Sequence, residues 1–228
     1  MAAALVAAAP AATRAAEGLD PLLAGLRDAW ARQVVREPTL VRPPLPIAIR
    51  GSVKTFQFLL DRPAFAARLA RHLHPPLSYR VVEKGPKVFD VDDGGLVRGE
   101  LRLVADAGNR RVYLGNGQAR SVGQIIRLAG RMVVLLEYQP GKGEGAPLVE
   151  ATSHMFLHVE GAVMRVIAKA LSRLVWGIAE RRVEVLGQAA GMVAERIARD
   201  PRSLFDEMRG WPDLRPEDLE DYRRTFLP

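Results

Sequence analysis

The chain has no cysteine among its 228 residues. That excludes disulfides, Cys-ligated zinc, iron–sulfur clusters and thiol nucleophiles. It says nothing of compartment, since it suits a reducing cytosol and an oxidising periplasm equally. Aromatic residues are scarce at 6%, too few to supply a base-stacking platform. No uncharged apolar run reaches the ~18 residues of a membrane-spanning helix. Lysine is also rare: five of the 33 cationic residues are lysines (Lys54, Lys84, Lys87, Lys142 and Lys169), and the other 28 are arginines. Gly-x-Ser-x-Gly is missing, so no nucleophile elbow is present. Gly141-Lys-Gly-Glu-Gly145 lacks the Gly-Lys-Ser/Thr of a P-loop and reads as a hairpin tip, a candidate gate.

What is there is ordinary globular composition, 48% hydrophobic and 26% charged. The length fits one domain with extensions and a core that needs no staples. The net charge of +7 and pI near 10.2 reflect in part the arginine- and alanine-rich coding of a GC-rich genome. They also favour anionic partners. Residues 1–19 are an Ala-rich leader whose apolar core and small-residue end suit a secretory signal peptide, without the basic stretch that should precede them. A periplasmic or exported location is expected if this is a truncated signal peptide, and a cytoplasmic one otherwise.

The spacing of Leu22, Leu23, Leu26, Trp30 and Val34 after Asp20-Pro21 predicts one capped helix. Proline-rich 36–46 reads as a linker or an edge crossing, and 20–45 is an N-terminal helical extension with a proline-rich linker. Pro46–Arg50 is a short strand. Helices follow over Val53–Leu60, capped by Ser52, and from Asp61-Arg-Pro63 to Leu73, stopped by His74-Pro75-Pro76. The period then changes to two. Strands are expected at Ser78–Glu83, Lys87–Val91, Leu96–Ala105, Arg110–Leu114, Gln118–Leu128, Gly130–Gln139 and Leu148–Val159. Breaks fall at Gly115-Asn-Gly117 and Ala129-Gly130, and a hairpin loop at Pro140–Pro147. The short links make the strands antiparallel. A single long helix is expected over 161–199, with Val163, Ile167, Leu171, Leu174, Ile178, Val185, Ala189, Val193 and Ile197 near one face. Residues 201–228 are a locally acidic tail with one short helix. The fold class is therefore α+β: a curved antiparallel sheet of about six to seven strands gripping a long C-terminal helix. The space between a curved sheet and a straight helix is a natural small-molecule site.

The segment Phe56-Gln-Phe58-Leu-Leu-Asp61-Arg-Pro-Ala-Phe65-Ala resembles the opening helices of START-like (SRPBCC, helix-grip) domains, which often carry a Phe-x-Phe-Leu-x-Asp-Pro segment there. The resemblance covers 46–200. It implies a hydrophobic cavity for a lipid, sterol, polyketide or quinone. A minority of the family are cyclases and hydrolases.

Alternation selects the lining of such a cavity. On the last strand Ala151, Ser153, Met155 and Leu157 oppose Glu150, His154 and His158. On 130–139 Met132, Val134, Leu136 and Tyr138 oppose Arg131 and Glu137. On 96–105 Val97, Leu101 and Leu103 oppose Arg98, Glu100 and Arg102. The helix adds Met164, Ile167, Leu171 and Leu174. The bland alternative is that these are plain core. Glu100, Glu137 and Glu150 would serve as a general base only if turned inward, and the expected placement is outward and solvated.

No metal, cofactor or catalytic residue is read. His154 and His158 lie ~13 Å apart on a strand, too far for one ion. Asp90, Asp92 and Asp93 before Gly94-Gly95 lack the glycine and glutamate positions of a calcium loop, and read as a hairpin turn. The expected partner is a hydrophobic small molecule. An anionic membrane surface is a second candidate, because helix 161–199 carries seven basic residues against three acids. No nucleic-acid partner is expected. The sequence carries no signal of an oligomeric state.

Overall fold

The computed structural model describes residues 20–75, 77–120, 127–142 and 147–227. The leader lies outside them, as do 121–126 and 143–146 of the expected strand and hairpin loop. The chain begins with α1 (Pro21–Ala24), whose Leu22 N–H donates to Asp20 at 2.8 Å. One helix was expected here, and two are found. Gly25 closes the first, and Asp28 caps α2 (Ala29–Arg36) afresh, accepting from the Ala31 N–H at 3.0 Å.

The expected linker is mostly strand. β1 (Leu40–Arg50) starts well before Pro46 and runs through the expected 45/46 domain boundary. Its prolines are tolerated because β1 is an edge strand, and because its register on β7 slips between Arg42 and Leu45, leaving Pro43 and Pro44 out of the ladder. Next come α3 (Val53–Asp61), capped by Ser52 as expected, and α4 (Pro63–Leu73), which opens on proline. Then follow β2 (Arg80–Gly85), β3 (Val88–Asp92), β4 (Val97–Asp106), β5 (Arg110–Arg120), β6 (Arg127–Pro140) and β7 (Leu148–Val159). They form one antiparallel sheet in the order β1-β7-β6-β5-β4-β3-β2. The curved seven-stranded antiparallel sheet and its long C-terminal helix are the α+β architecture expected from the sequence.

Two expected breaks are strand interior. Gly115-Asn-Gly117 lies within β5 and Ala129-Gly130 within β6. Gln118–Leu128 is accordingly not one strand, since its ends belong to β5 and β6. The glycines have a steric role instead. Gly99, Gly117 and Gly130 are paired in one row across β4, β5 and β6. A Cβ on Gly117 or Gly130 would stand 2.5 Å from the carbonyl oxygen of Arg98 or His158, respectively. The bare row lets neighbouring strands bend sharply along one line.

The single helix expected over 161–199 is two: α5 (Ala162–Ala170) and α6 (Ser172–Arg199). Leu171 sits at φ −98°, ψ 21°, outside helical values. The break lets α5 follow β7 while α6 follows β1. α6 approaches β1 closely: a Cβ on Gly51 would collide with Ala194 at 2.5 Å, and Gly51 has φ +137°, where only glycine is unstrained.

The chain ends with α7 (Pro201–Met208), capped by Asp200, and α8 (Pro216–Phe226), where one short helix was expected. Glu217 and Asp218 do occupy the first turn of α8, where the helix dipole favours acids. This segment is no loose tail. Leu204, Met208 and Tyr222 are fully buried with Phe58, Phe65, Leu69, Val193 and Ile197. Arg62 binds Asp221 at 2.8 Å and Arg68 binds Asp218 at 2.8 Å.

The N-terminal extension is equally integral. α1 and α2 cover the convex face, burying Leu23, Leu26, Ala31, Val34 and Val35 against Val112, Leu114, Val133 and Leu135. A third cluster on the concave face joins Ile49, Tyr138, Val149 and Ala151 to Phe56, with Ala190 of α6 against it. The two motif phenylalanines thus serve opposite sides of α3. Truncating Tyr222 to alanine is expected to cost about 3–5 kcal/mol in urea unfolding. A change within about 0.5 kcal/mol, as for a surface residue, would contradict an integral C-terminal core.

Candidate functional site

Sheet register defines the concave face row by row. Tyr138 pairs Ala151, which pairs Ile47, and this row is filled: Tyr138 packs edge-on against Phe56 at 5.2 Å and donates to the Gly108 carbonyl at 2.6 Å. The next row runs Arg111, Leu136, Ser153, Leu45. Beyond it run Leu103, Tyr113, Val134, Met155, Arg42, and then Leu101, Gly115, Met132, Leu157, Leu40. The glycine row follows. Val97 lies past it, paired with Ala119.

The expected lining residues divide into three groups. Tyr138, Ala151, Ser153 and Met155 are buried. Tyr138 and Ala151 belong to filled core rather than to any open space. Val97, Leu101, Leu103, Met132, Val134, Leu136 and Leu157 are half-buried, as are Met164, Ile167 and Leu171 of the helices. Leu174 is a correction: it is 49% exposed, because the break at Leu171 turns the start of α6 and carries it to the outside. Val163, expected on the same inner stripe, is 72% exposed. The concave face is therefore packed solid near Phe56 and accessible toward the glycine row.

Between these two halves sit three polar groups. Arg111, Tyr113 and Ser153 are 4%, 8% and 2% exposed. The Tyr113 hydroxyl, the Ser153 Oγ and the Arg111 Nη1 have no hydrogen-bond partner among the described residues. Such unsatisfied buried groups are rare, each costing about 1–3 kcal/mol. Arg111 reaches Asp61, the motif aspartate at the end of α3, through Nη2, and lies 3.6 Å from Asp106 through Nε. Burial pulls the guanidinium toward neutrality, but the bond to Asp61 and the nearby Tyr113 outweigh it and hold it charged. Burial pushes the Tyr113 phenol above its ordinary value, and Arg111 only partly offsets this. The two side chains lie close enough to influence each other, yet no hydrogen bond of normal geometry joins them.

The cluster is thus rich in donors at neutral pH. Tyr113 stays protonated, Arg111 only donates, and the Arg111 charge is already matched by two carboxylates. Its natural complement is a neutral acceptor oxygen, a carbonyl or hydroxyl, rather than an anion.

Two ion pairs hold α6 across this face. Glu180 binds Arg42 of edge strand β1 at 2.6 Å, and Arg182 binds Asp93 at 2.8 Å. Asp93, in the turn read as a hairpin, is 3% exposed and accepts from the Gly95 and Val97 N–H groups at 2.9 Å. The outward glutamates behave as expected. Glu137 binds Arg110 and His154, Glu100 pairs with Arg102, and Glu150 is exposed. His158 bonds the Glu37 carbonyl.

Two clefts open elsewhere. One, of about 370 Å³, lies between α4, β2 and α8, and its charged walls (Arg62, Arg215, Glu83, Asp218, Asp221) pair mainly with one another. It shares Asp61 and Phe89 with the edge of the concave face. The other, of about 350 Å³, lies between β1 and α6 and is lined by Arg42, Ser172, Arg173, Trp176 and Glu180. None of the expected lining residues borders either cleft.

Arg111 and Tyr113 were not singled out from the sequence. On 110–114 they alternate with Val112 and Leu114, and the apolar pair is the natural choice for an inner face. The signal was there only if both faces of the strand were taken as buried.

No family model and no curated protein matches the chain. Solved structures do. A conserved protein from Geobacillus kaustophilus is 13% identical, covering 69% of this chain and 95% of its own, with a TM-score of 0.46. Norcoclaurine synthase from Thalictrum flavum is 10% identical over 70% of this chain and 87% of its own, TM-score 0.42. The di-domain ARO/CYC StfQ of the steffimycin biosynthetic pathway is 18% identical over 71% of this chain and 53% of its own, TM-score 0.41. At these values nothing about ligand or reaction carries over to this chain.

Burial raises the pKa values of Tyr79, Tyr113 and Tyr222 in the folded state. Unfolded tyrosines ionise near pH 10 and folded ones later, so the unfolded state loses protons first as pH rises. Stability should therefore be fully present below about pH 10 and fall above it. Phenolate absorbance should appear together with loss of ellipticity. Full ionisation of all tyrosines near pH 10 with the fold intact would contradict the burial assigned to them.

Proposed function

We propose that this chain is a START-like binding or transfer protein for a neutral hydrophobic small molecule of the lipid, sterol-like or quinone class. The ligand occupies the accessible half of the concave face, against Leu101, Leu103, Met132, Val134 and Leu157, under Met164, Ile167 and Leu171. The observation that carries this reading is the buried, unpartnered donor set of Tyr113, Arg111 and Ser153, set among half-buried apolar side chains. Apolar burial at about 25 cal/mol per Å² supplies most of the affinity. The donors select an acceptor oxygen, which favours ketones and quinones within the class.

Catalysis of the cyclase or hydrolase type is the second reading, favoured by the same cluster. A protonated Tyr113 beside Arg111 could polarise a carbonyl as acid and electrostatic partner. The two carboxylates at hand, Asp61 and Asp106, are engaged by Arg111, which leaves no free base beside it among the described residues.

A panel of naphthoquinones, sterol ketones and saturated hydrocarbons of like size separates the outcomes. Carbonyl-bearing members should raise the melting temperature more than the hydrocarbons. Tyr113→Phe should weaken their binding roughly tenfold, while the ligand-free variant melts no lower than wild type because an unsatisfied hydroxyl has been removed. A panel without effect, or equal binding by Tyr113→Phe, would overturn the reading. Recovery of a bound compound at altered mass would move the assignment to the enzyme.

A further inference from the structure

We propose that α5 and the first turn of α6 form a docking face for an anionic lipid bilayer. Val163, Val166 and Ala170 follow one another at spacings of three and four residues, which places them on one stripe of α5, and Leu174 is exposed just beyond the break at Leu171, at the start of α6. Val163, Val166 and Leu174 are 72%, 68% and 49% exposed. Exposed valines and a leucine in a contiguous stripe are unusual on a free surface. Met164 and Ala168 on the other side of α5 are half-buried and buried, where α5 packs on β7, so the stripe lies outside that contact.

Charge identifies the occupant. Arg165, Lys169 and Arg173 recur every four residues alongside the stripe, and there is no acid between Glu160 and Glu180. None of the three pairs with a carboxylate among the described residues. A helix that is apolar on one exposed strip and purely basic beside it matches the interface of an anionic membrane, where the apolar side chains enter the acyl boundary and the cations meet phosphates. The cleft lined by Arg42, Arg173, Trp176 and Glu180 opens at the same end of α6; Arg42 is paired there with Glu180, which leaves Arg173 as the cation beside the stripe. This docking stands on the outer surface of α5 and is independent of what the concave face binds.

The test is co-sedimentation with vesicles of phosphatidylcholine alone or mixed with phosphatidylglycerol, without added ligand. The protein should pellet with the mixed vesicles, far less with phosphatidylcholine alone, and less as salt rises. Replacing Arg165, Lys169 and Arg173 together by glutamine should lower partitioning by roughly a hundredfold, and Val166→Asp by about tenfold or more. Val166, Lys169 and Arg173 are exposed and Arg165 is half-buried, and unchanged melting temperatures would show that the variants fold. Failure to pellet with mixed vesicles, or variants that pellet as well as wild type, would overturn the proposal. So would a wild-type dimer in gel filtration that Val166→Asp converts to monomer, since a second copy would then cover the stripe.

Discussion

A seven-stranded sheet with apolar side chains on both faces has to be covered twice. Most of this molecule follows from that requirement. Val112, Leu114, Val133 and Leu135 on the convex side need α1 and α2. Ile49, Tyr138, Val149 and Ala151 on the concave side need α3 and α6. On the concave side the buried polar groups Arg111, Tyr113 and Ser153 lie between the part that helices fill, around Phe56 and Tyr138, and the half-buried rows that run on to the glycine bend.

The second part stays open because it is spanned without being packed. Glu180 and Arg182, two positions apart on α6, are anchored to Arg42 on one side and to the β3–β4 turn on the other. Asp61 draws Arg111 toward α3, so a guanidinium sits where an aliphatic residue would have closed the core. Arg111 is buried but Asp61 is half exposed, so solvent screens the pair and it adds little net stability.

The sequence made the broad plan readable. Alternation on β7 and β6 selected Met132, Val134, Leu136, Ala151, Ser153 and Met155 as inward, and the register puts each of them on the concave face. The expected total of about six to seven strands agrees with the seven found, although Gln118–Leu128 is not one of them and most of β1 was read outside the sheet. What it missed has a common physical cause: each missed feature depends on a partner distant in sequence. Prolines look like linker until an edge strand accepts them, as in β1. Glycines look like turns until three of them align across a bend. Residues 20–36 and 201–227 look like extensions because their apolar partners lie in β5, β6 and α3. Arg111 was invisible as a site residue because its counter-ions come from α3 and from β4.

The claim that the unfilled half of the concave face is a binding site is tested most directly by methionine-methyl NMR. The six methionines include Met132 and Met164 at the site, and Met192 and Met208 well away from it. Titration with a naphthoquinone should shift the Met132 and Met164 methyls and leave Met192 and Met208 in place. Shifts confined to Met192 or Met208, or none at all, would contradict the account.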